Sequence, residues 1–235
     1  MKAMILAAGL GKRMRPLTDH TPKPLLPVAG KPLIQYHLEG LAAAGVSDVV
    51  INLAYLGEQI EAFVGTGAAF GVRVHYSREP EPLETGGALV RALPLLGEAP
   101  FILVNGDVWS DYPLLDLVSA TLPDAQDGHL VLVPNPEFHG DGDFALPQNP
   151  GLIGVQGPRF TFSGISLLRP RLIAEYPERR LRFALVETLR WAIARGALSG
   201  ELYHGRWNDV GTPARLAELD RLLQVEPAGS AGIVN

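Results

Sequence analysis

Residues 3–14 read AMILAAGLGKRM: an apolar run, a turn with glycines at positions 9 and 11, then Lys12 and Arg13. A buried strand that empties into a glycine-rich turn lets backbone N–H groups approach phosphate oxygens without side-chain obstruction. Two familiar phosphate-binding patterns fail on spacing. The dinucleotide fingerprint needs a third glycine at position 14, where this chain has Met14. The P-loop needs glycine at position 6 and Ser or Thr after Lys12, where the chain has Leu6 and Arg13.

Outward from this stretch, strand and helix signals alternate. Residues 3–7, 49–53, 72–76 and 101–105 read as strands, and residues 33–44, 56–64 and 88–96 as helices. Thr85-Gly86-Gly87 reads as a turn into the last of these helices. Such βαβ units predict an α/β fold: a mainly parallel, Rossmann-like mixed sheet flanked by helices. The ligand crevice of such a sheet lies outside the carboxyl ends of its strands, which selects the loops after residues 7, 76 and 105. The second half is less regular. Residues 130–133 and 161–168 read as strands, 135–157 as loop, and 185–194 as helix. Residues 202–204 and 207–210 flank a turn at Gly205, 213–223 form a closing helix, and 226–235 have weak periodicity. The expected organisation is one domain over 1–223, its halves meeting near residue 125, with a tail at 224–235.

Composition narrows the function. With 235 residues, 47% hydrophobic and 19% charged, the chain can bury one substantial core. There is no cysteine, which excludes a disulfide scaffold and a thiolate metal site, and the six histidines show no metal-ligand spacing. A net charge of −5 argues against a general affinity for nucleic acid. Residues 9–31 nevertheless carry five basic side chains (Lys12, Arg13, Arg15, Lys23, Lys31) against one acid, Asp19. That local excess suits a polyphosphate ligand, with a solvated basic loop as the alternative. The run at 3–10 is too short for a signal peptide, and no stretch approaches the roughly 20 apolar residues of a membrane helix. A cytoplasmic location is expected.

Asp107 follows the strand at 101–105, and Asp209 lies near another strand end. Two carboxylates converging at a strand-end crevice would make a hard oxygen site for magnesium; a turn or helix cap is the alternative for each. Arg13 offers a fork suited to phosphate oxygens, and Lys23 a compact charge. No nucleophile–base pair is evident.

LAAGLGKRMRPLT (6–18) and KPLLPVAGKPLI (23–34) resemble the signature region of the sugar-1-phosphate nucleotidyltransferases. The likeness continues in family order through ETGGAL (84–89), VNGDVW (104–109), FSGIS (162–166) and WNDVGT (207–212), covering roughly residues 1–223. PLETGG, FILVNGDVW and TFSGIS suggest the subgroup that uridylylates N-acetylmuramic acid 1-phosphate in peptidoglycan recycling. The resemblance implies UTP and a sugar 1-phosphate as substrates, Mg²⁺ on Asp107 and Asp209, Arg13 on the departing pyrophosphate, and Lys23 between the α-phosphate and the sugar phosphate. It places Ala7, Ala8, Gly9, Gly11, Lys12, Glu84, Gly86 and Gly87 around the nucleotide and Asn105 at ribose or sugar hydroxyls. Gly140, Asp143, Phe162, Gly164 and Glu187 would line the sugar pocket, with residues 126–223 as the sugar-binding half. Many relatives hold the sugar phosphate with a second lysine, but this chain has none after Lys31, which leaves Lys23 with Arg182 for the phosphate, and Arg159 and Arg182 as the candidate cations near a sugar carboxylate. A monofunctional monomer without nucleic-acid or membrane partners is expected. The same chemistry on a mannose- or glucose-type sugar phosphate with another nucleotide stays open, as does a nucleotide-sensing subunit without catalysis.

Overall fold

The computed structural model describes residues 1–225. The first half contains β1 (Lys2–Leu6), β2 (Pro27–Val28), β3 (Lys31–Pro32), α1 (Leu33–Ala43), β4 (Asp48–Leu53), α2 (Gly57–Val64) and β5 (Arg73–Arg78). It continues with α3 (Glu84–Leu96), β6 (Phe101–Asn105), β7 (Val108–Ser110) and α4 (Leu114–Ser119). The second half contains β8 (Gly128–Val133), β9 (Phe144–Ala145), β10 (Gly151–Leu152), β11 (Arg159–Leu168), α5 (Arg171–Ala174) and α6 (Leu185–Ala194). It ends with β12 (Leu198–Leu202), β13 (Trp207–Asp209) and α7 (Pro213–Val225). No helix among the described residues is long and apolar enough to cross a membrane.

The central sheet runs β10-β12-β8-β11-β6-β1-β4-β5, with β9 added on β11. The pairs β5–β4, β4–β1 and β1–β6 are parallel, β11 is antiparallel to both β6 and β8, and β12 is parallel to β8. Seven of the nine strands therefore point one way, β10 and β11 being the two that oppose them, as a mainly parallel sheet requires. The β6–β11 pairing joins the two halves of the chain in one sheet. After β1 the chain builds β4 and β5 on one side, then crosses to β6 on the other. That reversal opens a crevice at the carboxyl end of β1.

The strands are apolar because both faces are covered. Ala3 and Ile5 face a cluster with Ile34 and Leu38 of α1, Ile60 of α2 and Leu117 of α4. Met4 between them faces the opposite cluster, with Leu89 of α3, Leu172 of α5 and Leu189 of α6. A third cluster joins Met14, Leu26 and Leu33 to Trp109, Val210 and Leu216. It fastens the glycine-rich segment to α7 and to the β7–β13 ladder.

Two elements differ from the sequence-based expectation beyond a residue or two at their ends. Helix α3 starts at Glu84, so Thr85, Gly86 and Gly87 form its first turn and are not a turn ahead of it. Paired glycines oppose helix formation, but here segment 181–183 packs directly on them, and a tertiary contact decides the local state. Strand β12 occupies Leu198–Leu202, and residues 203–204, expected in a strand, lie beyond it. Ser199 and Gly200 are poor strand formers, and parallel pairing with β8 supplies what their propensity lacks. The short elements β7, α4 and α5 carry too few residues for a periodic signal. The expected loop at 135–157 contains only the brief strands β9 and β10 and one 3₁₀ turn. The tail residues 226–235 lie outside the described residues.

Candidate active site

A cavity of about 420 Å³ opens at the carboxyl ends of β1, β4, β5 and β6. Leu6–Met14, Lys23, Asn52, Glu79, Pro82–Thr85, Asn105–Asp107 and Gly211 line it. Ala7, Ala8, Gly9, Gly11, Lys12, Arg13, Lys23, Glu84, Asn105 and Asp107 thus meet in one place, as the sequence reading expects.

The loop after β1 folds into a 3₁₀ turn at Lys12–Met14, entered from Gly11 at φ +60°. A side chain is strained there, and a Cβ would come within 2.8 Å of Thr18 Cγ2. The Thr18 hydroxyl donates to Gly11 O at 2.8 Å, and Met14 is buried beneath the turn. Lys12 and Arg13 project outward from this anchored turn and make no ion pair among the described residues. Arg15, by contrast, pairs with Asp19 at 3.2 Å.

Lys23 is held differently. Its side chain is 9% exposed, and its Nζ lies 2.7 Å from Asp107 Oδ2, whose own side chain is 42% exposed. Asp107 is positioned from both sides: Gly106 N–H donates to Leu6 O at the end of β1, and Val210 N–H donates to Asp107 O. Asp209 pairs with Val108 across the β7–β13 ladder. Asp107, which immediately precedes β7, and Asp209, at the end of β13, are thus brought to adjoining backbone positions although the sequence separates them by about a hundred residues. Asp209 also meets Arg215 Nη1 at 3.3 Å, and that guanidinium lies 3.9 Å over the Phe138 ring.

No group of three or more His, Cys, Asp or Glu side chains poised for a metal occurs among the described residues. Asp107 lines the cavity, whereas Asp209 is absent from its lining and is paired with Arg215. Hard carboxylate oxygens of this kind, completed by phosphate oxygens and water, are what magnesium takes, since it rarely has an all-protein cage.

Other expected residues are placed elsewhere. Gly86 and Gly87 do not line the cavity, and both donate their N–H groups to Phe183 O, at 2.9 and 3.3 Å. A Cβ on Gly86 would lie 2.4 Å from the Phe183 ring, and one on Gly87 2.3 Å from Leu181 O. These glycines admit a neighbouring segment; they do not present backbone to a base. Glu187 is also absent from the lining. It forms a bidentate pair with Arg180 at 2.9 and 2.8 Å and caps its own helix through Ala184 N–H. Asp143 accepts from Phe162 N–H and contacts His139 Nε2, and Gly140 O accepts from Asn135. Phe162 stacks edge-on against Phe144, and Gly164 packs on Asn105 in a bulge of β11. Of the sugar-side residues only Asn105 reaches this cavity. Both candidate arginines have partners: Arg159 donates to the carbonyls of Asp141, Gly142 and Asp143, and Arg182 pairs with Glu84 at 3.1 Å.

Three polar residues near the site were not anticipated. Asn52 ends β4, Glu79 follows β5, and Arg215 lies on α7. For Asn52, a polar residue near the end of an apolar strand was the available signal. Burial pushes the Glu79 carboxyl above its ordinary range, against hydrogen bonds from Asn52 and Leu83 that favour the charged form.

Residues 2–139 match the family model described as nucleotidyl transferase. The chain is 48% identical over 229 residues to an N-acetylmuramate alpha-1-phosphate uridylyltransferase from Neisseria meningitidis, covering 94% of this chain and 98% of that protein. It is 37% identical to a protein of the same description from Caulobacter vibrioides, covering 94% and 97%. In fold it superposes on a Bacillus anthracis structure assigned as a glucose-1-phosphate thymidylyltransferase, with a TM-score of 0.85, 23% identity and 97% of each chain covered.

Proposed function

Because this chain belongs to the nucleotidyl transferase family, we propose that its cavity carries out uridylyl transfer from UTP to N-acetylmuramic acid 1-phosphate, giving UDP-N-acetylmuramic acid and pyrophosphate. The enzyme is a sugar-1-phosphate nucleotidyltransferase. The observation that carries the site assignment is the meeting of Lys23, Asp107 and the glycine-rich turn in one cavity at the switch point of the sheet. We further assign the reaction to peptidoglycan recycling in the cytoplasm, where UTP is available.

The chemistry is an in-line displacement. An oxygen of the sugar phosphate attacks the α-phosphorus of UTP, and the bond from that phosphorus to the α–β bridging oxygen breaks. Pyrophosphate departs with the electron pair. The attacking monoester is already ionised at neutral pH, so no side chain must remove a proton. Catalysis is then positioning and charge stabilisation. Arg13, without an ion-pair partner among the described residues, is assigned to the departing phosphates. Lys23, desolvated and fixed by Asp107, is assigned to charge that develops on the α-phosphoryl oxygens. Asp107 and Asp209 would hold Mg²⁺, which when bound neutralises phosphate charge. Asn105, on the cavity wall, is left to bind ribose or sugar hydroxyls.

The test is pyrophosphate release from UTP and N-acetylmuramic acid 1-phosphate by the wild type and by Asp107→Asn, with magnesium varied. The variant is expected to fold, since Asp107 is partly exposed, and to lose at least about 100-fold in turnover. Normal turnover by a stable Asp107→Asn protein would remove the carboxylate from the site.

A further inference from the structure

Each carboxylate assigned to the metal already faces a protein cation. Asp107 Oδ2 meets Lys23 Nζ at 2.7 Å, and Asp209 Oδ2 meets Arg215 Nη1 at 3.3 Å. The two pairs differ in setting. Lys23 and Asp107 both line the cavity, whereas neither Asp209 nor Arg215 does. The Arg215 side chain is only 14% exposed, and its Nε is buried without a hydrogen-bond partner among the described residues. Its guanidinium lies over the Phe138 ring and against Gly211, where a Cβ would overlap Nη2. Gly211 itself lines the cavity. The Arg215 charge thus sits beside a backbone segment of the nucleotide pocket without facing the pocket itself.

We infer that Arg215 is a positioning residue that stands in for the metal on Asp209: its guanidinium holds that carboxylate in the empty enzyme and yields it only when a divalent cation arrives with the nucleotide. The inference rests on the assignment of Mg²⁺ to Asp107 and Asp209. Charge balance carries it. Two acids are matched by two bases, so the empty site is neutral at these four side chains, and Lys12 and Arg13 add positive charge to the same cavity. A divalent ion entering alone must displace cations in a region that is already positive, and must strip a poorly solvated guanidinium of its anion. A triphosphate entering with it supplies oxygens that balance the displaced charge. Arginine suits the role, because it stays protonated and its flat face keeps a place on the Phe138 ring when the carboxylate is released.

The test follows Mn²⁺ binding to the full chain by electron paramagnetic resonance, with and without a UTP analogue whose α–β bridge cannot be cleaved. Arg215→Met removes the charge and keeps an unbranched side chain against Phe138. Arg215→Gln is a second neutral replacement, and Arg215→Lys keeps the charge. Without nucleotide, both neutral variants are expected to bind Mn²⁺ at least about tenfold more tightly than wild type, and the lysine variant within about threefold of it. With the analogue bound, the advantage of the neutral variants should shrink to less than about threefold. Adding Asp209→Asn to Arg215→Met should abolish the nucleotide-free gain.

Unchanged or weaker Mn²⁺ binding by the neutral variants without nucleotide would show that the guanidinium only braces Asp209 and α7, and would overturn the inference. A gain that is equal with and without the analogue, or that survives Asp209→Asn, would overturn it too, since either would reflect net charge alone. Should neither neutral variant fold, the wild type still decides, because Mn²⁺ bound as tightly without the analogue as with it would contradict the inference. If Asp107→Asn and Asp209→Asn both leave Mn²⁺ binding to the analogue complex untouched, the metal assignment fails instead.

Discussion

Arg13 and Lys23 line one cavity, but among the described residues only Lys23 of the two is tied to a protein anion. An unpaired, exposed guanidinium can engage phosphates in the ground state. A desolvated ammonium held by Asp107 is suited to charge that grows during the reaction. Arg13→Ala should therefore raise the KM for UTP about tenfold or more with a smaller change in kcat, whereas Lys23→Ala should lower kcat at least about 100-fold. Saturation kinetics on both variants checks this, and equal losses confined to KM would refute the division. That Arg13, Lys23 and Asp107 meet in one cavity was legible because each stands in a short run whose residue types make sense only together; Asp209, read the same way, does not line it. Asn52, Glu79 and Arg215 were not legible, since a lone polar residue carries no pattern until the fold supplies its neighbours. The pairing of Glu187 with Arg180 was hidden for a related reason: nothing local tells a carboxylate that meets a sugar hydroxyl from one that meets an arginine.

Elements impose their own constraints, and α3 shows them best. Its first turn was read as a glycine-rich loop toward the nucleotide, whereas its glycine N–H groups meet Phe183 O. Gly87→Ala would press a methyl group on a backbone carbonyl that cannot rotate aside. It should cost about 2–3 kcal/mol, on the order of 5–10 °C in Tm, and leave the UTP KM of the folded protein nearly unchanged. A raised KM at unaltered Tm would instead return that glycine to base recognition. Helix α1 carries a second constraint. Burial drives the His37 imidazole from its ordinary 6.5 down to about 4, against the opposing pull of Asp107 and a backbone bond at Val108. The unfolded chain binds this proton below about pH 6.5, and the folded one does so only below about 4. The resulting stability is thus full above the upper value and is lost as pH falls toward the lower, by roughly 3 kcal/mol in all. Denaturant melts across this window should show that slope in wild type and a flatter one in His37→Gln.

At the scale of the whole molecule, the parallel half of the sheet was readable because βαβ units repeat a strong signal over a hundred residues. The crevice came with it, since a parallel sheet with a reversal in strand order has one place for a ligand. The sugar-binding half was less readable, because its strands pair out of sequence order and its loops are fixed by distant contacts. Strand β11 sits between β8 and β6, and Arg215 of α7 stacks on Phe138. Sugar choice therefore depends on long-range geometry. N-acetylmuramic acid differs from N-acetylglucosamine by a lactyl ether bearing a carboxylate, and Arg159 and Arg182 are both committed within the protein. Preference for the muramic sugar is accordingly assigned to room at the site rather than to an ion pair from either arginine. The most direct test is the ratio of kcat/KM for the two sugar 1-phosphates with UTP, reading pyrophosphate release and identifying the sugar nucleotide by mass. The account predicts UDP-N-acetylmuramic acid as the favoured product by at least about tenfold, with Arg182→Ala shifting that ratio by no more than about tenfold; a wild-type preference for N-acetylglucosamine 1-phosphate would contradict it.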